Sequence, residues 1–196
     1  MGLTIHYSGK FKADASLCNM IEEVKDIAEA NEWRHHIFET EFPKKSPKKN
    51  SAEEKIYGIV FTPEGSETVH LTFLENRRMF GVYNLEFGKR LTEKEREKQY
   101  MFSLFTKTQY AGAETHKQIV HVLKYISRKY FSAFEVFDEG NYWDTEDPDI
   151  LQQSFNRYNE ILSHVSNVLE NLPQKKGETV DEFITRMTNE LKRKKK

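Results

Sequence analysis

One cysteine, five prolines and two tryptophans are spread over 196 residues, and the charges nearly cancel, with 30 Lys+Arg against 31 Asp+Glu for a formal net charge of −1. Each shortage excludes something. Cys18 alone cannot build a disulfide framework or a multi-cysteine zinc site, and next to Leu17 it reads as a small thiol flanking a helix. A net charge near zero supplies no global attraction to nucleic acid or to an anionic membrane, so either partner would need a local basic patch. No apolar run approaches the roughly 20 residues that cross a bilayer. Residues 1–12 alternate like a strand rather than forming a leader. Met1-Gly2 opens like an acylation signal but is followed by His6 where Ser or Thr is needed. The expectation is a cytoplasmic protein with no membrane partner. Also missing are a P-loop, a GxGxxG after a strand, a GxSxG and a CxxC, so no cofactor can be assigned and the commonest enzyme families find no support.

What is present is ample for a core: 37% hydrophobic residues, 13% of the chain aromatic. The length fits one α+β domain over 1–172, with a C-terminal helix and basic tail at 173–196 packed on the same domain. Leu3, Ile5 and Tyr7 alternate with Thr4, His6 and Ser8, which predicts a strand with one wet face. Asp14 or Ser16 then caps a helix striped by Leu17, Met20, Ile21, Val24, Ile27 and Ala28. RHHIFETEF is a further strand, and PKKSPKKNSAEE at 43–54 an exposed loop. Strands at 56–62 and 68–74 flank PEGSE as a hairpin, and 79–87 and YMFSLFTKT supply two more.

Between those last two strands, Thr92 and Glu95 have capping-box spacing. A helix over about 113–130 carries Ile119, Val122, Leu123, Ile126 and Tyr130, and FEVF at 134–137 is a short strand. Asp147-Pro148 starts a long helix to about 171, broken by LPQKKGE, and Thr179 with Glu182 caps a last helix bearing Val180, Phe183, Ile184, Met187 and Leu191. The whole predicts a mainly antiparallel sheet of about five to seven strands, with helices on one face and a C-terminal helical pair.

Three constellations carry chemistry. The first is His116 near a helix start, where free backbone N–H groups favour anions and Lys107 and Lys117 would help. Its plain alternative is an exposed histidine in a first turn. The second is the acidic run from Asp138 to Asp149, a source of oxygen ligands for a hard cation. Asp147 and Asp149 there have helix-capping and dipole reasons, which leaves Asp138 and Glu139 before Gly140 as the preferred pair, with Tyr142 and Trp143 as docking or stacking rings. No metal site is assigned. The third is the wet sheet face, where His6 and His70 among Thr4, Ser8, Thr68, Thr72, Asn84 and Glu86 would form a polar cradle, or simply an ordinary solvated face. Basic segments at 44–49 and 192–196 lack interleaved aromatics, which weighs against nucleic acid.

LTIHYSGKFK, IEEVKDIAEANEW, TKTQYAGAETH and DEGNYWDTED together resemble a family of bacterial proteins of unknown function. The resemblance covers the chain to about residue 170 and implies a bacterial cytosolic protein, but no site residues. The residues themselves predict a non-catalytic module binding a small molecule or a protein. The alternative is a metal-assisted, hydrolase-like enzyme using His116 with Asp138 or Glu139. On the sequence those groups start at opposite ends of a helix of about 15 residues, roughly 22 Å long at 1.5 Å per residue. The enzyme therefore requires the strand at 134–137 to run back along it.

Overall fold

A computed structural model describes residues 3–43, 54–88, 90–172 and 177–193. Most of the loop expected at 43–54, the basic segment at 44–49, most of the 192–196 tail, part of the break after residue 172 and the side chain of Leu191 lie outside the described residues.

The opening alternation folds as β1 (Thr4–Phe11), followed by α1 (Leu17–Ala30). Ser16 caps α1 by accepting the Asn19 N–H at 3.2 Å, and Leu17, Met20, Ile21, Val24 and Ala28 form its buried stripe. β2 (Arg34–Ile37), β3 (Tyr57–Thr62) and β4 (Val69–Phe73) make an antiparallel meander. β5 (Ser103–Lys107) and β6 (Phe131–Asp138) flank β1 on either side, both antiparallel to it. The fold is α+β, but the strands form two three-stranded sheets, β5-β1-β6 and β2-β3-β4, rather than one sheet of five to seven.

The split lies between β4 and β5. At one end the Glu67 N–H still donates to the Lys107 carbonyl at 2.9 Å. At the other, residues 77–79 occupy the neighbouring edge of β1, with Met79 N–H on Gly9 O at 3.0 Å and the Phe11 N–H on Arg77 O at 2.9 Å. Side chains satisfy the backbone groups in between: the Tyr7 hydroxyl accepts the His70 N–H at 2.9 Å, and the Thr106 hydroxyl donates to Thr68 O at 3.2 Å. A buried backbone donor without a partner would be costly, so these two side chains are what permit the sheets to part.

The strand expected over 79–87 does not form. Met79 and Phe80 bond Gly9 and Thr72, and the ladder stops there: Asn84 N–H closes a tight turn on Gly81 O at 2.9 Å. Val82–Asn84 is a 3-10 turn, followed by α2 (Leu85–Gly88) and α3 (Glu93–Lys98), the latter with the Thr92/Glu95 capping box in place. α4 (Gly112–Tyr130) lies against β6, which runs eight residues rather than the expected four. α5 (Tyr142–Thr145) leads to α6 (Pro148–Asn171), capped by Asp147, and α7 (Val180–Arg193) packs on α6 with Thr179 and Glu182 reciprocally bonded. The main core joins Ile5, Tyr7 and Phe11 to Ile59, Phe61, Val69 and Leu71 of the other sheet and to the stripes of α1, α4 and early α6.

Candidate functional site

α4 and β6 are consecutive and run in opposite senses, so the end of β6 returns to the start of α4. This brings His116 and Asp138 together, with Nε2 2.9 Å from Oδ1 and both side chains fully buried. The two atoms are within hydrogen-bond distance, but the approach falls short of hydrogen-bond geometry. Asp138 is also held by two backbone donors, Gly140 N–H on Oδ1 at 2.7 Å and Trp143 N–H on Oδ2 at 2.9 Å. Burial pushes the Asp138 carboxyl up, but His116 and the two N–H groups outweigh it and hold it below the usual carboxylate range. On the other side of the ring, Nδ1 lies 2.6 Å from the Thr108 hydroxyl, which also bonds Leu3 O at 3.2 Å.

Gly140 has to be glycine. A Cβ there would sit 2.9 Å from His116 Nε2 and 2.7 Å from Leu151 Cδ1.

A hydroxyl, an imidazole and a carboxylate in series is the order that activates a nucleophile. Here Thr108 and His116 have no solvent exposure, and Phe155 closes over the imidazole edge-on at 5.8 Å. Three open surface grooves of about 430, 450 and 540 Å³ are lined by the end of β2 with the residues after it and just before β3, by α4 with Glu146, and by α6, and none of the three by Thr108, His116 or Asp138. The chain of groups links β5, α4, β6 and, through Leu3, the approach to β1. His116 is therefore neither the exposed first-turn residue nor the anion site that its position suggests. Thr108, within the TKTQYAGAETH segment, was the missed member. Its signal was its place at the end of an alternating strand, on the inward side.

The remaining candidates scatter. Lys107 neighbours Thr108 but points the opposite way by strand alternation, out to solvent, 3.9 Å from Glu67. Glu139 ties down the start of β1, its Oε2 accepting the Thr4 N–H at 2.9 Å. Tyr142 is buried with its hydroxyl 3.1 Å from His121 Nε2, and Trp143 is half-buried against Phe134 at 5.9 Å. In the acidic run, Asp147 accepts the Asp149 N–H at 2.8 Å and Glu146 pairs with Lys124. Among the described residues no three His, Cys, Asp or Glu side chains converge to hold a metal ion.

The polar cradle does not form as expected either. Thr4 and Thr72 are buried, with the Thr72 hydroxyl donating to Phe80 O at 2.7 Å, and Asn84 and Glu86 lie in helical turns. His6 and His70 belong to different sheets. His70 is edge-on to Tyr83 at 5.4 Å, with Nδ1 buried and unbonded, and burial lowers its pKa to about 4.

His6 sits in a different arrangement. Register places it opposite Phe105 on one side and Phe137 on the other, with ring centroids at 6.2 and 6.0 Å. Phe137 is 66% exposed, Phe105 40%, and Tyr83 extends the row from Phe105 at 6.1 Å. Sequence reasoning placed His6 on the open face but not the rings beside it, because strand register is not written in any one strand. No protein-family model, no curated protein and no solved structure matches this chain. Among the described residues no helix is long and apolar enough to cross a membrane.

Proposed function

We propose that the protein is a non-catalytic binding module whose contact surface is the outer face of the β5-β1-β6 sheet. One observation carries the reading: Phe105, His6 and Phe137 stand side by side across three strands with their rings turned to solvent. Phe is among the residues most often buried, and two exposed in register with a histidine form an apolar row of tilted rings with one polar handle. Such a row suits a planar small molecule or an apolar patch on another protein. The hydrolytic reading has its residues in contact, yet Thr108 and His116 are fully buried and Asp138 is 4% exposed, which favours the open face over them.

The test is a ligand-observed NMR screen of planar heterocycles against the full chain, repeated on His6→Ala/Phe137→Ala. Hits lost in the double variant support this surface. Hits that survive it but vanish in the conservative Asp138→Asn, provided this variant keeps its fold, would transfer the site to the His116 network.

A further inference from the structure

β6 is a bare sheet edge. Register between β1 and β6 pairs Ile5 with Asp138, His6 with Phe137 and so on to Lys10 with Ala133. The Glu139 N–H donates to Thr4 O at 3.1 Å, so the even residues of β1 bond the odd residues of β6. The opposite side of β1 agrees, since Leu3 accepts from Thr108 and Gly9 from Met79. The N–H and C=O groups of Ser132, Phe134 and Val136 therefore point away from β1, and among the described residues no other strand pairs with them. Proteins blunt such edges with proline, lysine, a bulge or a short strand. Residues 132–137, SAFEVF, have none of these, and the one register shift lies at the far end, beside Phe131. The edge strand of the other sheet, β2, is only four residues long and carries Arg34.

We propose that this edge pairs with the β6 of a second copy, joining two three-stranded sheets into one six-stranded antiparallel sheet about a two-fold axis. Charge selects the occupant. With Phe134 opposite its own copy, Ser132 faces Val136 and Glu135, the only charged residue in the middle of the strand, faces Ala133. No like charges oppose, and the residues whose backbone groups point outward meet one another as hydrogen-bonded pairs. Sliding the pairing by two residues in one direction would set Glu135 against Glu135, which disfavours that register. This inference concerns the edge of the sheet and does not depend on what its outer face binds.

Sedimentation velocity on the full chain, from low to high micromolar, compares the wild type with Val136→Pro. The Val136 N–H is not used by β1, so proline there removes an outward donor and leaves the intramolecular ladder intact. The wild type is expected to sediment as a dimer and Val136→Pro as a monomer with an unchanged far-UV CD spectrum. A wild type that stays monomeric throughout, leaving the edge for a strand of some other protein, overturns the proposal, as does a dimer that survives Val136→Pro. Should the variant fail to fold, amide hydrogen exchange of the wild type decides. Dimerisation should slow exchange at Phe134 and Val136 at least about tenfold, while Glu135 and Phe137, already bonded to β1, are protected at every concentration. Open exchange at Phe134 and Val136 in the dimer would overturn it.

Discussion

Phe137 and Asp138 are adjacent on β6, yet one is 66% exposed and the other 4%. The two faces of the β5-β1-β6 sheet differ in the same way throughout. Inward, Thr106, Thr108 and Asp138 are polar groups whose partners are fixed by the fold. Outward, Phe105 and Phe137 are apolar groups whose faces meet water. The buried face holds the chemistry that looks catalytic, and the wet face holds the side chains that look like core. Thr108, His116 and Asp138 clamp the ends of β5 and β6 to α4, with the Asp138 carboxylate satisfied by two backbone donors. The outer face does the reverse: Phe105 and Phe137 leave much of their apolar surface to water.

The comparison breaks most visibly at Asp138. Asp138→Ala strands the buried His116 ring and two backbone N–H groups, and should cost about 3–5 kcal/mol. Urea denaturation of the variant measures it; a loss below about 1 kcal/mol would mean that water reaches the site and that the clamp is not sealed.

The next largest effect is a pH dependence. His70 has its pKa lowered to about 4 by burial, against an ordinary value of 6.5. The native state thus prefers the neutral ring: the associated stability is complete above pH 6.5 and is lost as pH falls toward 4. At about 1.4 kcal/mol per unit the loss reaches at most about 3 kcal/mol. Asp138, whose carboxyl is also lowered, adds a loss in the same direction, beginning below its ordinary value. His70→Phe should flatten the slope between pH 6.5 and 4 and leave the more acidic part. A slope that persists unchanged in the variant would place its origin elsewhere.

Gly140→Ala should follow. The added methyl meets His116 and Leu151 at distances no relaxed Cβ adopts, and overpacking of this kind costs about 1–3 kcal/mol. Comparing it with Asp138→Ala in a double-mutant cycle tests whether both act on the same clamp, in which case their costs will not add.

How much of this was legible in the chain depends on whether a property is local. Helix starts were: Ser16, Thr92, Asp147 and Thr179 all cap where the sequence puts them, because a cap is decided within four residues. The α4 stripe was legible for the same reason, and of α6 only its start, where Leu151 and Phe155 are buried while Leu162 and Leu169 further along are exposed. Sheet division was not. It depends on Tyr7 reaching His70 and on residues 77–79 taking an edge of β1, contacts 63 residues apart or more. The 79–87 segment alternates well enough for a strand, but only Met79 and Phe80 bond a neighbour before the chain closes into a turn at Gly81. At the site, Asp138 and Glu139 stood out by lacking a capping role, and His116 by its position, but their burial could not be read. Whether a polar residue is reactive or structural is decided by what packs over it, here Phe155 from 39 residues further on.

The smallest effect is the most discriminating. On the outer face Phe137→Ser removes an exposed ring, and a side chain that packs little of its surface should change stability by no more than about 0.5 kcal/mol. The same substitution on the inward side would be expensive, so a near-zero thermal shift for Phe137→Ser beside a large one for Asp138→Ala confirms that one strand serves two purposes. Binding is where Phe137→Ser should register. It removes one end of the row Phe137, His6, Phe105 and leaves the fold to the other face. A variant that melts like the wild type, yet loses the ligands of the NMR screen, separates recognition from stability at neighbouring residues. A variant that melts well below the wild type would instead make Phe137 part of a buried interface in solution, and the open face would then be a closed one.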